Sequence, residues 1–230
     1  MKKNKFTAIT FIREDSKRLP RKSVLKFGKK LLFEHSLMAY SNSNLIDDVV
    51  VYSSSEIVQK TLQGYSKKLK IRFLQRDIEF DKDVSFNTIM ESAIDKLDTD
   101  YIVYFCVTSP FVKTQTIDEI ITKINDEGYD SGFTCHPINN FCWYNKQTLN
   151  YSLAKDIPFT QDLEPVLVET SALYIFKKKL FKKENRRIGY KPYIKQVNKI
   201  EGIDIDYPQD LEMARYFLEK KQYEKSILRK

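Results

Sequence analysis

Strand-like apolar runs and helix-like segments alternate along almost the whole chain, and that alternation limits the fold more than any other feature. "FTAITFI", "DDVVVYSSS", "KIRFLQR", "DYIVYFCV" and "YDSGFTCHPI" have strand character. Between them lie "LLFEHSLMAYSNS", "SEIVQKTLQGYSKKL", "DVSFNTIMESAIDKL" and "TIDEIITKINDEG", which have helical character. Strand, crossover helix and strand in repetition predict an α/β fold: a mostly parallel twisted sheet with helices on both faces. The runs "VVVY" and "YIVYFCV" are apolar at nearly every position, as strands covered on both faces are. The pattern lapses between Asn139 and Val166, where the chain is aromatic, Asn-rich and weakly periodic. We read 139–166 as an arm or lid inserted in a single domain spanning 1–230. "VLVETSALYIFKK" resumes strand character, and "IEGIDIDYPQDLEMARYFLEKKQYEK" reads as a strand end, a turn and a long helix.

Composition narrows the function classes. A chain of 230 residues, 42% hydrophobic and 13% aromatic, suits one domain with a sizeable core. No run of eighteen apolar residues exists, so no membrane span is expected. The start "MKKNKFTAITF" is too short in its apolar part for a signal peptide and reads as a buried strand. Cys106, Cys135 and Cys142 are odd in number, lack zinc spacing and lie in apolar surroundings, as reduced thiols of a cytoplasmic protein do. The net charge of +8 permits nucleic-acid binding, but lysine is spread through the chain, including "FKKKLFKKENRR", and such runs are usually solvated faces. The aromatic residues follow the strands and do not alternate with Lys and Arg as stacking platforms require, so no nucleic-acid partner is expected.

Ligands of open parallel sheets bind at the carboxyl ends of strands, near the switch in strand order. Four segments follow strand-like runs directly: Arg13–Lys22, Ser53–Glu56, Thr108–Phe111 and Asp204–Asp206. They are expected to converge. The first is strongly basic, with Arg13, Lys17, Arg18, Arg21 and Lys22 against only Glu14 and Asp15. It is neither G-x-x-x-x-G-K-[ST] nor G-x-G-x-x-G, yet a turn rich in cations and N–H donors suits a phosphate chain. Asp204 and Asp206 stand two apart, on one side of an extended segment, and two carboxylates there suit Mg²⁺. The alternative is that the pair only favours the start of the following helix. His35 reads as a packing or surface residue, and His136, before Pro137, lies within reach of the cleft.

Six stretches in sequence order resemble the cytidylyltransferases that make CMP-sugars, the family of CMP-sialic acid and CMP-Kdo synthetases. "REDSKRLPRKSVLKFGKKLL" is similar to the family's A-R-x-x-S-K-x-x-x-x-K-N loop, and "VVVYSSSE" to its strand ending in T/S-D/S-S/D-E. "LQRDIEFDKDVSFNTIMESAIDKL" resembles the R-P…A-x-D segment before a helix, and "VYFCVTSPFVKTQTIDEII" resembles L-L-Q-P-T-S-P-L-R-x-x-x-D-I-D. "FTQDLEPVLVETSALYIFKKKLF" is similar to R-R-Q-D-L-P-x-x-Y-x-E-N-G-A-I-Y-I, and "GIDIDYPQDLEMARYF" to I-D-I-D-x-x-x-D-L. The resemblance implies a nucleotide-diphospho-sugar transferase-like, Rossmann-like fold and an Mg²⁺-dependent nucleotidyltransferase, cytoplasmic and homodimeric through the 139–166 arm. It would transfer CMP from CTP to a small-molecule acceptor, an acidic, sialic-acid-like sugar, as in surface polysaccharide biosynthesis. By the same likeness Arg13, Ser16, Lys17 and Lys22 line the triphosphate, Arg76 and Ser85 lie near the cytidine, and Cys106, Thr108, Ser109, Gln161, Glu169 and Thr170 face the acceptor. Lys22, Asp204 and Asp206 are then the catalytic set, the two carboxylates holding the metal. The chain departs from the pattern at Cys106-Val107, where the family has Gln, at Thr160, where Arg is frequent, and at Thr170-Ser171, where it has Asn-Gly. These departures fall on the acceptor side. They keep open a nucleotidyltransferase of the same shape acting on another sugar, a sugar phosphate or a phosphonate, and also a silent binding module.

Overall fold

The computed structural model describes residues 4–65, 69–82, 84–154 and 156–227. Its main sheet has seven strands: β1 (Phe6–Ile12), β4 (Asp48–Ser53), β5 (Ile71–Gln75), β6 (Tyr101–Phe105), β7 (Ser131–Ile138), β10 (Val166–Lys177) and β11 (Pro192–Gln196). Their order across the sheet is β11-β7-β10-β6-β1-β4-β5. All run one way except β10, which lies antiparallel between β6 and β7. The chain winds outward from β1 through β4 to β5, then returns to place β6 on the other side of β1. That reversal opens a crevice beyond the carboxyl ends of β1 and β6.

Side-chain alternation divides the core between two faces. On one face Phe6, Ala8, Val49, Val51, Val103 and Ile175 pack with α1 (Leu32–Ser41), α2 (Glu56–Gln63) and α4 (Thr114–Glu127). On the other Ile9, Val50, Tyr52, Ile102 and Phe176 pack with α3 (Phe86–Ile94) and with Phe181 of α5 (Lys178–Glu184). Burial of both faces makes the central strands apolar at successive positions. Local signals set the helix ends. Ser55 and Ser85 accept N–H bonds at the starts of α2 and α3. Gly128, at φ 69°, closes α4 in the left-handed region.

A third cluster fixes α6 (Pro208–Ile227) near the carboxyl ends of the central strands. Ile203, Ile205, Leu211, Ala214 and Leu218 pack with Phe27 and Leu32 around a short hairpin of β2 (Lys26–Phe27) and β3 (Lys30–Leu31). Two expectations are corrected here. The predicted strand before the acidic pair is a turn at 199–202 followed by an extended segment outside any ladder. Ile205 N–H still bonds Thr108 carbonyl at 2.9 Å. The 139–166 segment also has a strand pair of its own, β8 (Trp143–Tyr144) with β9 (Gln147–Thr148). Trp143, Tyr144, Leu153, Ile157 and Phe159 of this segment are exposed. A register shift interrupts the β7–β10 ladder after Glu169, and there Ser171, at φ 59°, holds the left-handed conformation that glycine takes without strain. Part of the helix expected over 55–69 lies outside the described residues.

Among the described residues, no helix is long and apolar enough to cross a membrane.

Candidate active site

The loop after β1 and the loop after β6 face each other across the crevice. A cavity of about 390 Å³ there is lined by Arg13, Ser16, Lys17, Lys22, Cys106 and Thr108, together with Arg18. Phe11, Arg13 and Tyr104 also line a second cavity of about 480 Å³, shared with Arg76, Ser85 and Phe86. The two cavities are therefore lobes of one cleft, one basic and one aromatic. Arg21, in the left-handed region at φ 53°, turns the chain into the short 3-10 helix Lys22–Val24. That turn brings Lys22 inward, to 8% exposure, although it belongs to a basic loop.

Asp206 takes Lys22 Nζ on one carboxylate oxygen and Arg18 on the other, both at 2.6 Å. Arg18 also lies over the Tyr207 ring, 5.4 Å from its centroid, and its pKa is raised, mainly by a hydrogen bond with Tyr207. Asp204 accepts a hydrogen bond from the Thr108 hydroxyl. Burial holds the Asp204 carboxyl above the usual carboxylate range; Thr108 opposes this shift and the negative charge of Asp206 adds to it. The alternation Ile203-in, Asp204-out, Ile205-in, Asp206-out persists without a ladder because the two isoleucines are anchored under α6. The helix-start role falls on Asp210, whose carboxylate accepts Asp206 N–H at 3.0 Å and Tyr207 N–H at 2.8 Å.

Of the four segments expected to converge, three meet: the basic loop, Thr108 and the acidic pair. Ser53–Glu56 serves behind them. Ser55 donates to Glu14, and Ser53 donates to Ile12 carbonyl at 2.8 Å. Arg76 is 1% exposed, donates to Ile12 carbonyl at 2.9 Å and pairs with Asp81. Its Nε is buried with no partner among the described residues. Ser85 lines the aromatic lobe while capping α3.

The acceptor residues do not all share the cleft. Cys106 and Thr108 line it. Burial pushes the Cys106 thiol up to about 11, with Asp204 contributing, so it stays protonated at neutral pH. Ser109 is fully buried on the core side of its loop, and Thr170 shares a hydrogen bond with Thr134 inside the sheet. Neither lines the cleft, because the family likeness does not say which of two neighbouring hydroxyls turns inward. Gln161 is exposed on the 3-10 turn Thr160–Asp162 and lines neither lobe. Glu169 accepts the Tyr174 hydroxyl and lies 3.6 Å from Arg187. His136 is half-buried, its Nδ1 without a partner among the described residues, and it too lies outside both lobes.

Sequence reasoning missed Phe11, Tyr104 and Phe86, which stack edge-on or tilted at 4.7–5.8 Å in the aromatic lobe. They read as core residues in the sequence, and only the strand ends at which they stand hinted otherwise. As for a metal, no group of three or more His, Cys, Asp or Glu among the described residues could hold one. Mg²⁺ needs less: one or two carboxylates, with waters and substrate phosphates completing six positions. Asp204 and Asp206 supply that donor set, so the residues present fit the ion.

The cytidylyltransferase family model matches residues 7–228. N-acylneuraminate cytidylyltransferase A of Danio rerio is 25% identical over 218 residues, covering 90% of this chain and 50% of the relative. Pseudaminic acid cytidylyltransferase of Campylobacter jejuni is 25% identical over 217 residues, covering 88% of this chain and 91% of that protein. The chain thus spans about half the length of the N-acylneuraminate enzymes it matches. The solved structure of a CMP-2-keto-3-deoxy-manno-octonic acid synthetase complexed with CTP superposes with a TM-score of 0.70 at 13% identity, covering 94% of this chain and 99% of that one. With a family model matched from the first strand to the last helix, the chain belongs to the cytidylyltransferase family.

Proposed function

We propose that this protein transfers CMP from CTP to an acidic sugar and releases pyrophosphate. One observation carries the reading: Arg13, Lys17 and Lys22 line the cleft at the β1/β6 switch, and Lys22 there reaches Asp206 at 2.6 Å. The acceptor's hydroxyl oxygen forms a bond to the α-phosphorus, the bond from that phosphorus to the bridging oxygen of the β-phosphate breaks, and the hydroxyl's proton passes to solvent water. Arg13, Lys17 and Lys22 bind the triphosphate and take up charge on the departing pyrophosphate. The aromatic lobe between Phe11 and Phe86 receives the base, beside Arg76. Asp204 and Asp206 would hold Mg²⁺, whose chemistry is to neutralise phosphate charge and acidify a bound hydroxyl. Thr108 keeps Asp204 oriented, and the buried Ile203 and Ile205 fix the spacing of the pair.

A second reading, with a sugar phosphate or another sugar as acceptor, is favoured by Cys106, which lines the cleft where the resembled pattern has Gln. Both readings share the nucleotide. Melting curves with each of the four nucleoside triphosphates and Mg²⁺ test it, since a ligand of the native state raises the melting temperature. CTP is expected to give the largest rise. Equal rises with ATP and CTP would count against the assignment.

A further inference from the structure

Tyr104 bridges the two lobes of the cleft. Among the described residues, Phe11, Arg13 and Tyr104 line both the basic and the aromatic cavity. The strands put them there. Ile9 of β1 stands beside Tyr104 of β6 in the parallel ladder, and Phe11, two residues further on, shares the face of Ile9. The Tyr104 ring belongs to the aromatic lobe, its centroid 5.2 Å from that of Phe11 and 4.7 Å from that of Phe86. Its hydroxyl belongs to the basic lobe, 3.6 Å from the Cys106 thiol. The side chain therefore runs from the side of the cleft given to the base to the side given to the triphosphate.

Three features separate this hydroxyl from that of a core tyrosine. Its partner among the described residues is a thiol, a weak hydrogen-bonding group, so a better partner can still be taken up. Burial holds the phenol well above its ordinary pKa, so it keeps its proton at neutral pH and can donate. It is also a departure from the resembled motif. Aligned on Thr108-Ser109-Pro110, L-L-Q-P-T-S-P has Leu at Tyr104 and Gln at Cys106, so the motif supplies no hydroxyl at this point. The part of a nucleotide that joins base to triphosphate is the ribose. With the base among Phe11 and Phe86 and the triphosphate on Lys17 and Lys22, the ribose lies at the junction. There Phe11 offers only carbon, Arg13 offers a cation suited to phosphate, and Tyr104 offers a neutral hydroxyl suited to a ribose hydroxyl.

We propose that Tyr104 is the specificity residue that reads the sugar of the nucleotide, its hydroxyl bonding a ribose hydroxyl, so that the site prefers ribonucleotides to deoxyribonucleotides. The inference rests on the cytidylyl-transfer reading and deepens it by naming the sugar that the nucleotide must carry. A site that hydrogen-bonds a substrate hydroxyl disfavours the analogue lacking it, because its own polar group is then left poorly paired. The ring serves as a wall whether or not it carries the oxygen, so Tyr104→Phe removes the donor and keeps the packing on Phe11 and Phe86.

Calorimetric titration with Mg²⁺ and no acceptor tests the assignment without turnover. The probes are CTP, 2′-deoxy-CTP and 3′-deoxy-CTP, each added to wild type and to Tyr104→Phe. One of the two deoxynucleotides is expected to bind wild type about tenfold more weakly than CTP, the worth of one hydrogen bond with a neutral partner. Tyr104→Phe is expected to bind CTP about tenfold more weakly than wild type does and to bind that deoxynucleotide as wild type does, so that the preference disappears. A wild type that binds CTP and both deoxynucleotides alike would overturn the proposal, and that arm needs no variant to fold. A Tyr104→Phe protein that keeps the wild-type preference would overturn it too. So would equal losses for all three nucleotides in Tyr104→Phe, which would mean that the hydroxyl only shapes the cleft. Each of these results leaves CTP binding by wild type, and with it the transfer reading, in place. A wild type that binds none of the three removes the transfer reading itself, and the ribose contact with it.

Discussion

Asp204→Asn and Asp206→Asn are each expected to lower turnover by about a hundredfold to a thousandfold, the range for losing one preorganised electrostatic group at a reaction centre. CTP affinity is expected to change far less, because neutralisation of charge at the α-phosphorus is realised mainly in the transition state. Stability should move the other way from activity at Asp204. Its folded-state pKa is raised by burial, so its contribution is full below the unfolded carboxyl pKa and is lost as the pH rises through the folded value. At pH 7, without Mg²⁺, the ionised side chain is therefore a cost. The Asn variant keeps an oxygen for the Thr108 hydroxyl and removes that cost. Its melting temperature is expected to equal or exceed that of wild type at pH 7, with the difference shrinking as the pH falls toward the usual carboxylate range. A pair that merely favoured the start of α6 would behave otherwise. Loss of such a cap costs about 1 kcal/mol and leaves turnover nearly normal. The structure already gives that part to Asp210. Steady-state kinetics and melting curves of both variants across pH 4–8 check the expectation, and active variants of lowered stability would remove the metal site.

Lys22→Ala is expected to weaken CTP by about tenfold to a hundredfold, the worth of one charge-assisted contact in a desolvated setting. On the proposed reading turnover should fall further, since a cation there would also stabilise the leaving pyrophosphate. The variant should still fold, because Arg18 retains one oxygen of Asp206 at 2.6 Å. Lys22→Arg is not expected to rescue it. The side chain is enclosed, and a wider planar head cannot occupy the place of an ammonium without displacing Asp206. Titration of CTP onto the three proteins, with melting curves beside it, is the check. Unchanged CTP affinity in Lys22→Ala would show that the basic loop does not hold the triphosphate.

The parts of this account that were legible in the sequence are those carried by local pattern. Apolar runs buried on both faces gave away β4 and β6, and the helical character of "DVSFNTIMESAIDKL" gave away α3. The alternation of Ile203, Asp204, Ile205 and Asp206 kept both carboxylates on one side, although the expected ladder is absent. What stayed hidden depends on how distant loops turn. Ser109 fits the family's motif as well as Thr108 does, and Thr170 stands at a departure from it as Cys106 does, yet Ser109 and Thr170 face the interior. Adjacent residues of an extended loop point opposite ways, and a motif does not say which side the cleft takes. Tyr104 belongs to an apolar run that reads as a covered strand. Only its place near the end of β6, beside Cys106, sets its hydroxyl where the two lobes meet. Ser171 shows the converse, a strained backbone retained where the resembled pattern has glycine.

The central claim is that this cleft moves a cytidylyl group. Pyrophosphate released from CTP in the presence of Mg²⁺, with the nucleotide product identified by mass, tests it directly across N-acetylneuraminate, erythritol 4-phosphate and N-acetylmannosamine. Acceptor-dependent pyrophosphate release and a CMP-linked product are expected with an acid, none with the neutral sugar, and none with ATP in place of CTP. Pyrophosphate release from ATP at the same rate, or CTP bound but left intact with every acceptor, would contradict it.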